Sequence, residues 1–355
     1  MSEIGIACNE IKKNYPNLTI KVNFQINKGE LVSIIGPSGC GRSTVLKLIC
    51  GLEAPDSGTI AINGTDVTNI QSDKRKVAIV LHGYALFPHM NVEQNIIYPM
   101  KNRRLSKDEM KTETRRLLEL VNLSGFEKKQ VKDLTVAEQQ KTVLARAIAS
   151  NPDVLLLDEP LSTLDSHLRL DLRNEIREIQ RKTGITTIFV TNNPEEALSI
   201  SDHIIVMRDG SIEQIGTPED IYRRPCSEFV ATFTGECNIL PYDVILKTLH
   251  VPETERSKII YQCYGPGHRL IFRPEDMVVN DMPGLPFPEF YPHLRFEHAK
   301  IIRSEYLGKE YLVTLQYENL IIKVYTVYKP ASDTITAGIR MNKILEFNDG
   351  RLIRN

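Results

Sequence analysis

Leu31-Val32-Ser33-Ile34-Ile35-Gly36-Pro37-Ser38-Gly39-Cys40-Gly41-Arg42-Ser43-Thr44 is the stretch on which the fold turns. Its first residues form a short apolar run ending at Gly36-Pro37, which reads as a buried strand closed by a turn. From Ser43 to Cys50, Val45, Leu46, Leu48 and Ile49 recur at helical spacing, and Gly51 is placed to stop the helix. The loop between them fits the pattern G-x-x-x-x-G-K-[ST] except that Arg42 stands in the lysine position. Its glycines let the backbone curl so that successive N–H groups face a phosphate, and the positive end of the following helix adds to the attraction. Ser43 supplies a hydroxyl for Mg²⁺. A plain Gly-rich turn is the alternative, but the strand-loop-helix setting favours a phosphate loop. Gly36, Pro37, Ser38, Gly39, Cys40, Gly41, Arg42, Ser43 and Thr44 are therefore the candidate nucleotide-binding residues. Arg42 keeps the charge but loses the compact ammonium, so weakened or misplaced nucleotide is the expectation.

Downstream, Val154-Leu155-Leu156-Leu157 runs directly into Asp158-Glu159-Pro160. Asp158 at the strand end suits Mg²⁺, through water, and Glu159 suits polarisation of the water that attacks a γ-phosphate. A solvated strand end is the bland alternative. Thr186 to Val190 is another continuous apolar run. Such runs fit central strands of a parallel sheet covered on both faces, and their alternation with helical stripes predicts an α/β fold for the first ~235 residues. Ser106 to Glu109 has capping-box spacing ahead of Met110, Leu117, Leu118 and Val121. Leu164, Leu168, Leu172, Ile176 and Ile179 form a second helical stripe, with Ser162 as its expected cap. After Thr234-Gly235 the helical stripes stop. Tyr311, Val313, Leu315 and Tyr317 alternate with more polar neighbours, Ile322, Val324 and Ile344 to Phe347 continue, and Asp349-Gly350 suits a hairpin turn. The expected domains are thus 1–235, and 236–355 as a small antiparallel β domain with a Pro-rich loop at Met282 to Pro292.

The chain has 355 residues, which fits about two domains. Forty-four basic and 45 acidic side chains leave a net charge of -1, which argues against holding nucleic acid by bulk positive charge. With 41% hydrophobic and 25% charged residues the chain is not disordered as a whole. No apolar stretch approaches the ~20 residues of a membrane span, and Glu3 and Glu10 leave no apolar export core. Cys8, Cys40, Cys50, Cys226, Cys237 and Cys263 are scattered without a C-x-x-C pair and read as reduced thiols.

With both motifs in place, the sequence resembles the ATP-binding subunits of ABC importers. Gly83 to Met90 is similar to the segment after the family's Q-loop glutamine, Ala145-Arg146-Ala147 to the helix after its signature, and Leu161-Ser162-Thr163-Leu164-Asp165 to its D-loop. The tail, with Arg273-Pro274-Glu275-Asp276, resembles the OB-like regulatory domain of importer subunits for sugars, polyamines, ferric iron or inorganic anions. The resemblance implies ATP and Mg²⁺ as ligands, a helical insert at about 86–150 and transmembrane permease subunits as partners. It also implies a peripheral place on the cytoplasmic face of the membrane. It implies a head-to-tail dimer, with itself or with another ATP-binding subunit, in which the loop of one copy and the signature of the other sandwich ATP. Tyr15, ahead of the loop, is placed to stack on adenine, and Asp165 belongs to the nucleotide site. Phe87, Pro88 and Met90 suit a groove for a permease helix, with local core as the alternative.

Four positions depart from the family pattern. Arg42 is the first. His82 replaces the Q-loop glutamine, which contacts Mg²⁺ and the attacking water; an imidazole is bulkier and suits softer metals. Leu134-Thr135-Val136-Ala137-Glu138-Gln139 stands where the family reads L-S-G-G-Q-Q, so Thr135, Val136 and Ala137 replace the serine and glycines that approach the partner's γ-phosphate. β-Branched Val136 makes close approach or φ > 0 costly, and Glu138 adds negative charge. Asn192, in Thr191-Asn192-Asn193-Pro194-Glu195-Glu196, replaces the histidine that orients the water, and its amide carries no exchangeable ring proton. Each such loss typically costs ~10²–10³ in rate, and residues acting as a unit do not add simply. The favoured expectation is a subunit with impaired or absent hydrolysis, serving a structural or regulatory role beside a permease. An active ATPase energising uptake is the alternative. An unrelated P-loop kinase explains neither the Asp-Glu-Pro strand end nor the β tail.

Overall fold

The computed structural model describes residues 3–81, 83, 86–241, 267–280 and 293–354. His82, Tyr84, Ala85 and the Met282 to Pro292 stretch lie outside the described residues. Among the described residues no helix is long and apolar enough to cross a membrane. The chain divides into two compact units, Met1–Glu219 and Asp220–Asn355.

The first unit is built on one sheet. Its strands are β1 (Ile4–Tyr15), β2 (Leu18–Asn27), β3 (Leu31–Ile35), β4 (Ser57–Ile62), β5 (Thr65–Asp66), β6 (Val77–Val80), β7 (Val154–Asp158), β8 (Thr186–Val190), β9 (His203–Arg208) and β10 (Ser211–Gly216). They lie in the order β5-β4-β1-β2-β10-β9-β3-β8-β7-β6. The run β9-β3-β8-β7-β6 is parallel, while β1, β2, β4 and β5 pair antiparallel. Every residue of β3, β7 and β8 is buried. The reason is coverage on both faces. Leu31, Leu155, Leu157 and Phe189 face one apolar core, while Val32, Ile34, Leu156, Ile188 and Val190 face another. The continuous apolar runs therefore mark central parallel strands, as expected.

The helices of this unit are α1 (Arg42–Cys50), α2 (Val92–Met100), α3 (Lys107–Leu120), α4 (Val136–Ala149), α5 (Ser166–Thr183) and α6 (Pro194–Ile200). Val45, Leu46, Leu48 and Ile49 of α1 fill one core, and residues of α2 to α5 fill the other. Gly51 ends α1 in the left-handed conformation at φ 78, and Ser106 and Glu109 form the expected capping box on α3. Two details of α5 correct the sequence reading. Its cap is Asp165, whose carboxylate accepts from His167 N and Leu168 N at 3.1 and 3.0 Å, while the Ser162 hydroxyl donates to the Glu159 carbonyl at 2.9 Å. Leu168 is 39% exposed, so only Leu172, Ile176 and Ile179 of the helix's stripe are core. The helix begins one turn later than Ser162, so Leu168 lies in its first turn.

The second unit contains the end of α7 (Pro218–Arg223), α8 (Glu228–Thr234) and two antiparallel sheets. One is β11 (Asn238–Pro241), β12 (His268–Phe272), β18 (Leu345–Asn348) and β19 (Arg351–Arg354). The other is β13 (Met277–Asn280), β17 (Thr334–Arg340), β14 (His293–Tyr306), β15 (Tyr311–Tyr317) and β16 (Leu320–Thr326). Val313, Leu315, Ile322 and Val324 point inward at period two. Asp349 and Gly350 both take positive φ, 48 and 76, and close the β18–β19 hairpin. This unit starts earlier than the Thr234-Gly235 boundary read from the sequence. Ala231 of α8 packs with Ile271, Leu345 and Phe347, which ties the helix to the strands that follow it.

Candidate active site: a phosphate loop held by an arginine

Parallel neighbours β3, β7 and β8 end side by side, so the residues that follow them gather in one place. Gly36 to Thr44 leaves β3 and opens α1, as expected. Gly36 and Gly41 are required by contact. A Cβ on Gly36 would lie 2.2 Å from the Met207 carbonyl of β9, and one on Gly41, at φ 103, would lie 2.1 Å from Ile20 Cδ1. The loop is thus pressed against the sheet at both ends.

The Arg42 side chain is buried, with 6% of its surface exposed. One guanidinium nitrogen, Nη1, donates to the Gly36 carbonyl, and Nη2 donates to Glu159 Oε1 at 2.8 Å. The arginine therefore folds back across the loop and grips the carboxylate at the end of β7. Glu159 itself has φ 47, and its N–H donates to the Val190 carbonyl at 2.9 Å. A left-handed glutamate costs about 1 kcal/mol or more and is the kind of backbone found at functional sites. Ser43 Oγ donates to Asp158 Oδ1 at 2.9 Å. A hydroxyl and a carboxylate set this close are hard oxygen donors of the type Mg²⁺ takes, so this pair fits the metal read from the sequence.

Beyond β8, Thr191 N donates to the Ile34 carbonyl at 3.3 Å, and Asn192 follows it, exposed. The Thr191 hydroxyl donates to Glu196 Oε2 at 2.6 Å and accepts from Asn193 N at 3.0 Å. Glu196 is 5% exposed. Burial raises its carboxyl above the ordinary range, opposed by the Thr191 hydrogen bond and by Arg169, whose Nε lies 3.6 Å away. Arg169 also donates from Nη2 to the Leu164 carbonyl at 3.0 Å. Glu196 and Arg169 went unnoticed in the sequence. A second acidic residue in a helix's first turn reads only as a dipole match, and nothing local marks it as buried.

Other candidates lie elsewhere. Tyr15 is half-buried; its hydroxyl donates to the Glu53 carboxylate beside Thr44, and burial with Glu53 pushes its pKa up to about 12. Asp165 caps α5. Thr135 caps α4 through a capping box: Thr135 N donates to Glu138 Oε2 at 2.7 Å, and Glu138 N to Thr135 Oγ1 at 3.3 Å. The segment is thus a helix start. Val136 opens the helix without positive φ, and the Glu138 carboxylate is committed to the cap. Phe87 is held by Asn95, through Phe87 N to Oδ1 at 2.9 Å, and lies under the Arg146 guanidinium at 5.1 Å.

With this geometry in view, residues 20–162 match the family described as ABC transporter. Over 285 residues the chain is 41% identical to the spermidine/putrescine import ATP-binding protein PotA of Clostridioides difficile (strain 630), spanning 78% of this chain and 81% of that protein. The chain belongs to the ABC transporter family. Two solved ATP-binding cassettes of the ABC family share its fold. The cassette MJ0796, in a dimeric post-hydrolysis state bound to ADP and Pi, is 26% identical with a TM-score of 0.53, covering 60% of this chain and 98% of that one. The cassette MJ1267 of an ABC transporter has a TM-score of 0.59 at 22% identity, covering 66% of this chain and all of that one. In this ABC-family chain, the loop, the Ser43–Asp158 pair and Glu159 come together around Arg42.

Proposed function

We propose that this ABC-family chain is the ATP-binding subunit of an importer whose hydrolysis is impaired, acting as a nucleotide-binding structural or regulatory partner of a permease. The observation that carries the proposal is the Arg42 guanidinium, buried between the Gly36 carbonyl and the Glu159 carboxylate. Phosphate entering the loop must compete with both contacts. One oxygen of Glu159, the residue proposed to polarise the attacking water, is committed to the guanidinium. Ser43 and Asp158 would hold Mg²⁺, whose charge neutralises the phosphate oxygens. The Gly36 to Thr44 backbone would cradle the phosphates, and Tyr15 would lie against the adenine.

Asn192, exposed at the end of β8, would meet the γ-phosphate with an amide in place of a ring proton. Thr135 to Ala137 would face nucleotide held by a second copy or by another ATP-binding subunit. His82 is proposed beside the metal and Asp165 at the dimer site. The relative named for spermidine and putrescine makes a permease for small polyamine cations the first partner to test. The place of action is then the cytoplasmic face of the membrane. The Ser43–Asp158 pair also supports the second reading, an active ATPase, because it leaves the metal donors intact.

Phosphate release from ATP and Mg²⁺ by the purified chain separates the two. Turnover of a few per second, abolished by Glu159→Gln, would establish the active ATPase. Under impairment the rate is lower by ~10²-fold or more. Arg42→Lys, Val136→Gly, Ala137→Gly and Asn192→His together then raise it; a folded quadruple variant with no gain would remove these positions from the explanation.

A further inference from the structure

Two side chains outside the phosphate loop close a circuit behind it. Strands β7 and β8 are joined directly where they end, because Glu159 N donates to the Val190 carbonyl at 2.9 Å. They are joined a second time through the chain beyond them. On the β7 side, the Ser162 hydroxyl donates to the Glu159 carbonyl, Leu164 N donates to the Leu161 carbonyl at 3.2 Å, and Arg169 Nη2 donates to the Leu164 carbonyl at 3.0 Å. On the β8 side, the Thr191 hydroxyl donates to Glu196 Oε2 and accepts from Asn193 N. Arg169 and Glu196 meet between the two, with Nε 3.6 Å from Oε1.

Stability alone does not call for a charge here. Glu196 and Thr191 are both buried. A neutral amide would accept the Thr191 hydroxyl equally well and avoid the cost of burying a carboxylate. What the carboxylate adds is attraction for Arg169, whose Nε is buried and makes no hydrogen bond among the described residues. Arg173 places a second positive charge near Glu196. With 34% of the Arg169 side chain exposed, the pair contributes little to stability. Its effect is on geometry, because it joins the residues that follow β7 to those that follow β8. Glu159, at φ 47, has the kind of backbone that persists only where its surroundings over-determine it. Asn192 lies between Thr191 and Asn193, which are fixed to one another by the Thr191 hydroxyl.

We propose that Glu196 and Arg169 are positioning residues that lock Glu159 and Asn192 into one block, so that a γ-phosphate meets both in fixed register. The proposal rests on the nucleotide site proposed above and concerns only its γ-phosphate end. The Gly36 to Thr44 backbone, which would hold the other phosphates, lies outside the circuit.

Fluorescence competition titration of the full chain with Mg²⁺ and either ADP or a non-hydrolysable ATP analogue tests it. Glu196→Gln and Arg169→Gln should each lower the ratio of triphosphate to diphosphate affinity about fivefold, the equivalent of one hydrogen bond to the γ-phosphate. Asn192→Ala should lower the ratio similarly and add nothing in the Glu196→Gln background, because both act through one contact. Arg169→Lys, which keeps the charge, should retain more of the ratio than Arg169→Gln. A merely structural role would weaken both nucleotides alike. Such equal weakening, an unchanged ratio, or full additivity of Asn192→Ala with Glu196→Gln overturns the inference and leaves the nucleotide site standing. A native chain that binds neither nucleotide removes that site, and the inference with it.

Discussion

At Arg42 the chain puts a planar cation where a flexible ammonium would reach a phosphate, and the guanidinium finds two partners within its own fold. Removing one exposes the energetic asymmetry of a buried pair. Glu159→Ala leaves the guanidinium without its counter-charge and should cost about 2 kcal/mol, below the ~3–5 of a fully buried pair because Glu159 keeps 25% of its side-chain surface. Arg42→Lys should instead tighten a fluorescent ADP analogue about tenfold, the equivalent of one released hydrogen bond to a charged group. Urea midpoints and fluorescence titration read the two; unchanged midpoint and affinity would mean that the pair is idle. The arginine itself was visible in the sequence, because one residue broke a spaced pattern. Its grip on Glu159 was not, because residues 42 and 159 are brought together only by the order of β3, β8 and β7.

Helix caps show what local reading does and does not supply. Ser106 to Glu109 was recognised because serine and glutamate sit at the required spacing before an apolar stripe. Thr135 to Glu138 has the same spacing and forms the same cap at the start of α4, an ordinary helix start despite standing where a glycine-bearing signature is expected. Ser162 and Asp165 are both good caps by residue type, and only the observed start of α5 distinguishes them. Asp165→Ala should therefore cost about 1 kcal/mol, and Ser162→Ala less than about 0.5, by denaturant midpoints. Equal costs would contradict the cap at Asp165. The central strands were legible as runs with no polar face, and the C-terminal strands as period-two alternation.

For the molecule as a whole, strand order and the early start of the C-terminal unit were beyond the sequence, because both depend on pairings between distant segments. The same holds for Glu196 of α6, buried with its carboxylate on the Thr191 hydroxyl just beyond β8. Its effect on global stability has a definite sign. Burial lifts the folded-state carboxyl above the ordinary 4.5, so its contribution is full below that pH and is lost as pH rises through the folded value. Glu196→Gln keeps an oxygen for Thr191 and cannot ionise. The unfolding free energy of the variant should gain on the native chain as pH rises above 4.5, measured by urea unfolding at each pH; a difference independent of pH would rule out a charge penalty there. A last consequence comes from Cys40, 4% exposed in the wall of the loop, with its thiol pushed up by burial against the pull of Arg42. A sulfur sealed at that point works as a stopwatch: thiol dye can reach it only when the loop unfastens, so the rate of colouring at Cys40 counts each spontaneous release of the latch.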